Sequence, residues 1–294
     1  MTTIGFIGLG NMGGPMAANL VKAGHDVRGF DLAAPSCDAA REAGIGIAES
    51  AQAAVAGVEV VVTMLPAGKH VVAVWQEILP VLDAGTLVID CSTIDVDSAR
   101  KAHAMAAEKN CLSLDAPVSG GVGGAQGATL TFMAGGAAEA FAKAEPILLQ
   151  MGRKAVHCGD AGAGQAAKIC NNMILGISMI GVAEAFVLAE KLGLSHQALF
   201  DVASTSSGQC WSLTTYCPVP GPVPTSPANN DYKPGFAAEL MLKDLGLAQE
   251  AARTAGAVTP LGEHARAIYE HFNAQGFADK DFSAIVAHLR AGRD

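Results

Sequence analysis

At 294 residues the chain exceeds what one hydrophobic core usually spans, so two domains are expected, and a half-hydrophobic composition with only 5% aromatics suits close helix-on-sheet packing in an α/β enzyme. A net charge of −9 with no basic run argues against nucleic acid or an anionic membrane as partner. Seven cysteines without a C-x-x-C pair or a histidine at zinc spacing argue against a metal site, and their odd number points to reduced thiols in a cytoplasm.

The residues after Met1 have no basic leader and break at glycine, which reads as neither signal nor transit peptide. The first half then alternates short apolar runs with helical stretches. Strands are expected at residues 4–8, 26–30, 58–65, 86–90 and 112–115, then at 130–133 and 155–157, nearly continuous in apolar residues as where both faces of a parallel sheet are covered. Helices are expected between them at 12–23, 70–82, 96–109 and 139–151, the pattern of a doubly wound sheet. Beyond Gly164 the chain reads as helices only, at 164–192, 195–204, 236–255, 259–274 and 282–290. Residues 208–236 hold Trp211, Tyr216, Tyr232 and six of the thirteen prolines, and an irregular stretch of that length is expected to be a binding loop. The apolar run 173–189 is interrupted by Glu184 and is too short for a clean membrane span, so it reads as a helix buried between domains or subunits. A first domain over residues 1–163 and an all-helical second domain over 164–294, joined by the long helix, follow from this pattern.

Three sets of residues carry chemistry. Gly8-Leu9-Gly10-Asn11-Met12-Gly13 is a G-x-G-x-x-G between a strand and a helix, the setting in which glycines admit a pyrophosphate to a helix N-terminus. The next strand ends at Asp31, where a carboxylate bonds the ribose hydroxyls of NAD and repels the 2′-phosphate of NADP. Two further strand ends, Met64-Leu65-Pro66 and Asp90-Cys91-Ser92-Thr93, suit the same ligand, although Ser92 and Thr93 serve equally well as caps for the following helix. Finally, Gln165, Lys168 and Asn172 fall at i, i+3 and i+7 of the long helix, so three polar groups share one stripe among apolar neighbours. A lysine desolvated in this way can exchange protons with a substrate oxygen, and it can equally be a lysine snorkelling from a core helix.

With these parts in place the chain resembles the β-hydroxyacid dehydrogenase family over nearly its whole length. Four motifs carry the likeness: Gly8-Leu9-Gly10-Asn11-Met12-Gly13-Gly14-Pro15-Met16-Ala17, Asp115-Ala116-Pro117-Val118-Ser119-Gly120-Gly121, Gly159 to Lys168 through Asn172, and Lys243-Asp244-Leu245-Gly246-Leu247-Ala248. The resemblance implies a Rossmann-like domain joined by a long helix to an all-helical domain that also mediates oligomerisation, as a homodimer or homotetramer. It implies Lys168 as the catalytic acid/base with Asn172 beside it, Ser119, Gly120 and Gly121 at the substrate carboxylate, and Leu65, Pro66, Thr93 and Lys243 at the cofactor. Trp211 and Tyr216 resemble an aromatic wall over the substrate. One departure is that many members carry an asparagine shortly after the Leu-Pro pair, where this chain has Lys69-His70. The implied reaction is reversible, NAD-dependent oxidation of a short 3-hydroxy acid, 3-hydroxyisobutyrate in valine degradation, without a metal. Reduction of tartronate semialdehyde, or NAD binding without catalysis, are the alternatives weighed.

Overall fold

The structure, a computed structural model, describes residues 1–292. The chain divides into two compact units, one running from Met1 to Lys168 and the other beginning at Ile169. The division thus falls inside the long helix Ala163–Lys191, past its expected place at residue 163. The reason is local: the first turn of that helix is hydrogen-bonded to Asp115 of the first unit.

The first unit is built on nine strands: β1 Thr3–Ile7, β2 Asp26–Phe30, β3 Gly46–Ile47, β4 Val60–Thr63, β5 Leu87–Asp90, β6 Leu112–Asp115, β7 Val118–Ser119, β8 Leu130–Gly135 and β9 Gly152–Gly159. They lie in the order β3-β2-β1-β4-β5-β6-β8-β7, with β9 on β8. The first six are parallel throughout, as the unbroken apolar runs require. The extension differs, since β8 runs antiparallel to β6 and β7 and parallel to β9. Alternate residues serve opposite faces. Phe6, Val60, Val62, Leu87 and Ile89 join one core cluster, while Ile7, Val61 and Val88 join another with Trp75 and Ile78. The order of crossovers reverses between β1 and β4, so the loops leaving these two strands part to opposite sides, the arrangement that opens a ligand crevice at the carboxyl ends of strands.

The second unit is helical, with His196–Ala203, Trp211–Thr214, Ala238–Ala255, Pro260–Phe272 and Ile285–Arg290 around a core of Met179, Ala183, Phe186, Met241, Leu245, Tyr269 and Phe272. The long helix meets the length and composition of a membrane span. Its Met179, Ala183 and Phe186 are wholly buried in this core, which makes it a core helix of the unit. Residues 208–236, expected to be irregular, form an ordered loop holding the short helix Trp211–Thr214 and the 3-10 turn Pro227–Asn229. Internal bonds hold it: the Ser226 hydroxyl donates to the Cys217 carbonyl at 2.6 Å and the Tyr232 hydroxyl to the Pro218 carbonyl at 2.8 Å.

Candidate active site

The glycine turn joins β1 to the helix Gly13–Lys22, and its glycines have separable reasons. Gly8 has φ +94°, and a Cβ there would strike the Met64 carbonyl; a Cβ on Gly13 would strike the carbonyl of Gly8 itself. Gly10 meets nothing within 4 Å, which leaves its backbone open to a ligand. The turn therefore fits a dinucleotide pyrophosphate glycine by glycine. Asp31, half-buried at the end of β2, accepts the Leu9 N–H at 2.6 Å and the Ala33 N–H at 2.8 Å. Its carboxylate braces the turn, a role its spacing alone did not disclose.

At the ends of β4 and β5 the polar groups form one network. The Thr63 hydroxyl donates to Asp90 Oδ1 at 2.7 Å, the Ser92 hydroxyl donates to the same oxygen at 2.6 Å, and the Leu65 N–H donates to Ser92 Oγ at 2.7 Å. Ser92 thus ties the Leu65-Pro66 loop to the end of β5. It does not cap the following helix, because Asp95 does so by accepting the Ser98 N–H at 2.7 Å. Thr93 follows it, half-buried. Burial pushes the Asp90 carboxyl up to about 6, against the opposing hydrogen bonds from Ser92 and Thr63. Its Oδ2 is buried without a hydrogen-bond partner.

Further along the sheet, β7 ends at Ser119, and the backbone then turns through Gly120 (φ +136°) and Gly121 (φ +61°). The φ of Gly120 lies beyond the left-handed region that other residues reach, so that position calls for glycine. On the long helix, Gln165, Lys168 and Asn172 are all buried, at 0, 6 and 1% exposure, as the stripe predicts. Their roles diverge. Gln165 spends both ends of its amide within the first unit, accepting the Ile94 N–H at 3.1 Å and donating to the Ser92 carbonyl at 2.7 Å. Asn172 donates to Asp244 Oδ2 at 2.5 Å and accepts from the Asn171 amide at 3.0 Å. Asp244 is itself buried, with the Lys243 ammonium 3.7 Å from its other oxygen. The residue reading passed over Asp244; the available signal was a carboxylate inside an apolar helical stripe.

Trp211 and Tyr216, expected to act alike, are stacked on each other but differ in exposure and bonding. Tyr216 donates its hydroxyl to Asp281 Oδ2 at 2.9 Å and stacks on Phe282 with ring centroids 5.3 Å apart. Burial, with Asp281 nearby, drives its pKa well upward. Its polar group is therefore committed to the fold. Trp211 lies stacked on it at 4.9 Å and remains 49% exposed, so Trp211 alone has an open ring face and Tyr216 is its backing.

A parallel sheet whose strand order reverses beside a glycine turn, with a carboxylate at the next strand end, is the arrangement of the NAD-binding oxidoreductases. Two family models match consecutive stretches: the NAD binding domain of 6-phosphogluconate dehydrogenase over residues 3–159, and the NAD-binding domain of NADP-dependent 3-hydroxyisobutyrate dehydrogenase over residues 162–289. The chain belongs to the β-hydroxyacid dehydrogenase family. It is 57% identical over 294 residues, covering 100% of both chains, to a probable 3-hydroxyisobutyrate dehydrogenase of Mycobacterium tuberculosis. It is 49% identical over 288 residues, 97% of each chain, to an NAD-dependent L-serine dehydrogenase of Pseudomonas aeruginosa. The solved structure of Mycobacterium tuberculosis 3-hydroxyisobutyrate dehydrogenase with L-serine superposes with a TM-score of 0.96 at 57% identity, covering 99% of each chain.

Proposed function

We propose that this oxidoreductase converts 3-hydroxyisobutyrate reversibly to methylmalonate semialdehyde, a step of valine degradation, with Lys168 as general acid/base. The observation that carries the reading is Lys168 itself, a lysine buried on a helix whose first turn is locked to the strand ends. The Gly8–Gly13 turn, Asp31, Leu65, Pro66, Thr93 and Lys243 would hold NAD, which when bound supplies the hydride acceptor. Ser119 offers a hydroxyl, and the glycines after it offer backbone N–H groups, to the substrate carboxylate, as anion-binding turns do. Lys168 in its neutral form takes the hydroxyl proton as the C–H bond breaks, and as ammonium returns it in the reverse direction. Asn172, its amide oriented by Asp244, keeps one N–H and one lone pair for the substrate, and Trp211 supplies the apolar wall.

A second substrate has specific support. L-Serine carries an ammonium where 3-hydroxyisobutyrate carries a methyl group, and one relative is named for it. An apolar wall at that place disfavours a polar substituent that loses water there, so the wall predicts poor turnover of tartronate-type substrates and of L-serine alike, and the relative's name is what keeps L-serine in the comparison. Lys168→Ala should lower kcat by about 10² to 10⁴ with NAD affinity little changed; turnover near that of the unmutated protein would end the assignment. Rates with 3-hydroxyisobutyrate, 3-hydroxypropionate and L-serine then fix the substrate. A methyl-specific wall predicts roughly tenfold discrimination against 3-hydroxypropionate, and a higher kcat/KM for L-serine would transfer the proposal to that acid.

The same reading takes the protein as a homodimer or homotetramer acting in the cytoplasm. What supports the oligomer is the exposed apolar side of the long helix, with Ile174 and Leu188 exposed by 66 and 60%, and Leu192 just past its end by 75%.

A further inference from the structure

The end of β6 meets the start of the long helix in an arrangement that the hydride-transfer chemistry does not by itself require. Asp115, the last residue of β6 and 2% exposed, accepts the Gly162 N–H on Oδ1 and the Gln165 N–H on Oδ2, each at 2.8 Å. These are donors that a helix start leaves without intrahelical partners, here satisfied by a residue about fifty positions earlier rather than by a neighbouring cap. The approach is backbone-close: a Cβ on Gly164 would run into the Met133 and Asp115 carbonyls, and one on Gly135 would meet Asp115 Oδ1 and the Gly164 N–H. His103 Nε2 lies 2.9 Å from Asp115 Oδ1, and Ser113 Oγ lies 2.7 Å from His103 Nδ1. With the proton on Nε2, the imidazole donates to the carboxylate and accepts a hydrogen bond from the serine hydroxyl.

One carboxylate thus fixes the axial position of the helix, and the Gln165 side chain, bonded at Ile94 and Ser92, fixes its rotation. Lys168 follows Gln165 by three residues, on the same face. We propose that Asp115 and Gln165, with His103 holding Asp115, are positioning residues that set the Lys168 amine for proton transfer. The inference rests on Lys168 being the general acid/base, and it assigns Asp115 a task separate from the substrate-binding Ser119 and Gly120 of the same sequence motif. It also explains why the helix is divided between the two units just after Lys168: the catalytic turn is the part that the strand ends hold.

The test uses Asp115→Asn, which keeps the shape but turns an amide N–H₂ toward one of the two backbone donors, and Gln165→Leu, which removes both side-chain bonds. Each should lower kcat roughly 10- to 100-fold, the usual consequence of about 1 Å of misplacement. NAD affinity measured by calorimetry should stay within about twofold. The primary deuterium isotope effect on kcat, with substrate deuterated at the carbinol carbon, should rise as hydride transfer becomes slower than release. A structural role alone would lower the melting temperature and leave kcat per folded molecule and the isotope effect at their original values, and that result overturns the proposal. Should Asp115→Asn not fold, Gln165→Leu and His103→Ala carry the same readouts. Lys168→Ala runs alongside. If it too retains turnover, the acid/base reading has failed; if it loses turnover while the positioning variants keep theirs, only this inference has failed.

Discussion

Two buried carboxylates at neighbouring strand ends, Asp90 and Asp115, show how differently a residue of one type is used. Asp115 receives two backbone N–H groups and a histidine. Asp90 concentrates its bonds on one oxygen and leaves the other buried without a hydrogen bond. Burial raises Asp90 from 3.8 to about 6, so the folded protein binds this proton more tightly than the unfolded chain does. Its stabilising contribution is therefore complete below about pH 4 and is lost as pH rises through about 6, a loss on the order of 3 kcal/mol. Asp90→Asn has no such titration. Urea midpoints of both proteins at about pH 4.5 and 7 should show the variant gaining on the wild type at the higher pH, and parallel behaviour would remove the ionisation from Asp90. At this scale Asp31 and Lys168 were legible, because a fixed spacing within one strand-turn-helix unit or one helical stripe marks them. Asp90, Asp115 and Asp244 were not assigned individual roles, since their partners lie far away in sequence and a carboxylate carries no mark of what it will meet.

The glycine turn between β1 and its helix is the element on which the cofactor assignment depends, and its glycines give opposite expectations. A methyl group at Gly13 collides with the Gly8 carbonyl, whereas one at Gly10 meets no protein atom. Gly13→Ala should therefore lower both the melting temperature and NAD affinity. Gly10→Ala should keep the melting temperature within a degree or two and lose NAD affinity at least about tenfold, because the added methyl occupies the path of the pyrophosphate. Thermal melts paired with NAD titrations decide it, and a Gly10→Ala protein that binds NAD normally would move the phosphates elsewhere. Long elements were legible because several turns or alternations reveal a period. The two-residue strands β3 and β7, and the short helices Ala51–Val55 and Gly121–Gln126, escaped for the converse reason. Residues 208–236 were legible as a loop from their prolines and aromatics, but not the bonds that order it, such as Ser226 to Cys217, which no local pattern encodes.

For the whole molecule, the long helix has two apolar sides, one buried and one exposed. Met179, Ala183 and Phe186 fill the helical core, and Ile174, Leu188 and Leu192 stay exposed, beside a groove lined by Ile177, Gly181, Glu184, Leu261, His264 and Ile268. An apolar stripe of that length suits a self-complementary contact. Light scattering at micromolar concentration should give a dimer or tetramer, and Leu188→Arg should shift the mass toward the monomer; a wild-type monomer would refute the contact. The sequence by itself determined the parallel sheet, the helical second unit, the glycine turn with its acidic strand end, and the stripe bearing Lys168, because each is written in a short-range period or spacing. Only the tertiary structure decided that the Gln165 amide is bonded to Ser92, that Tyr216 is committed to Asp281, and that Asp115 holds the first turn of the long helix. Those roles are set by which hydrogen-bonding partners folding brings to each buried polar group, and a buried group must take the partner it meets.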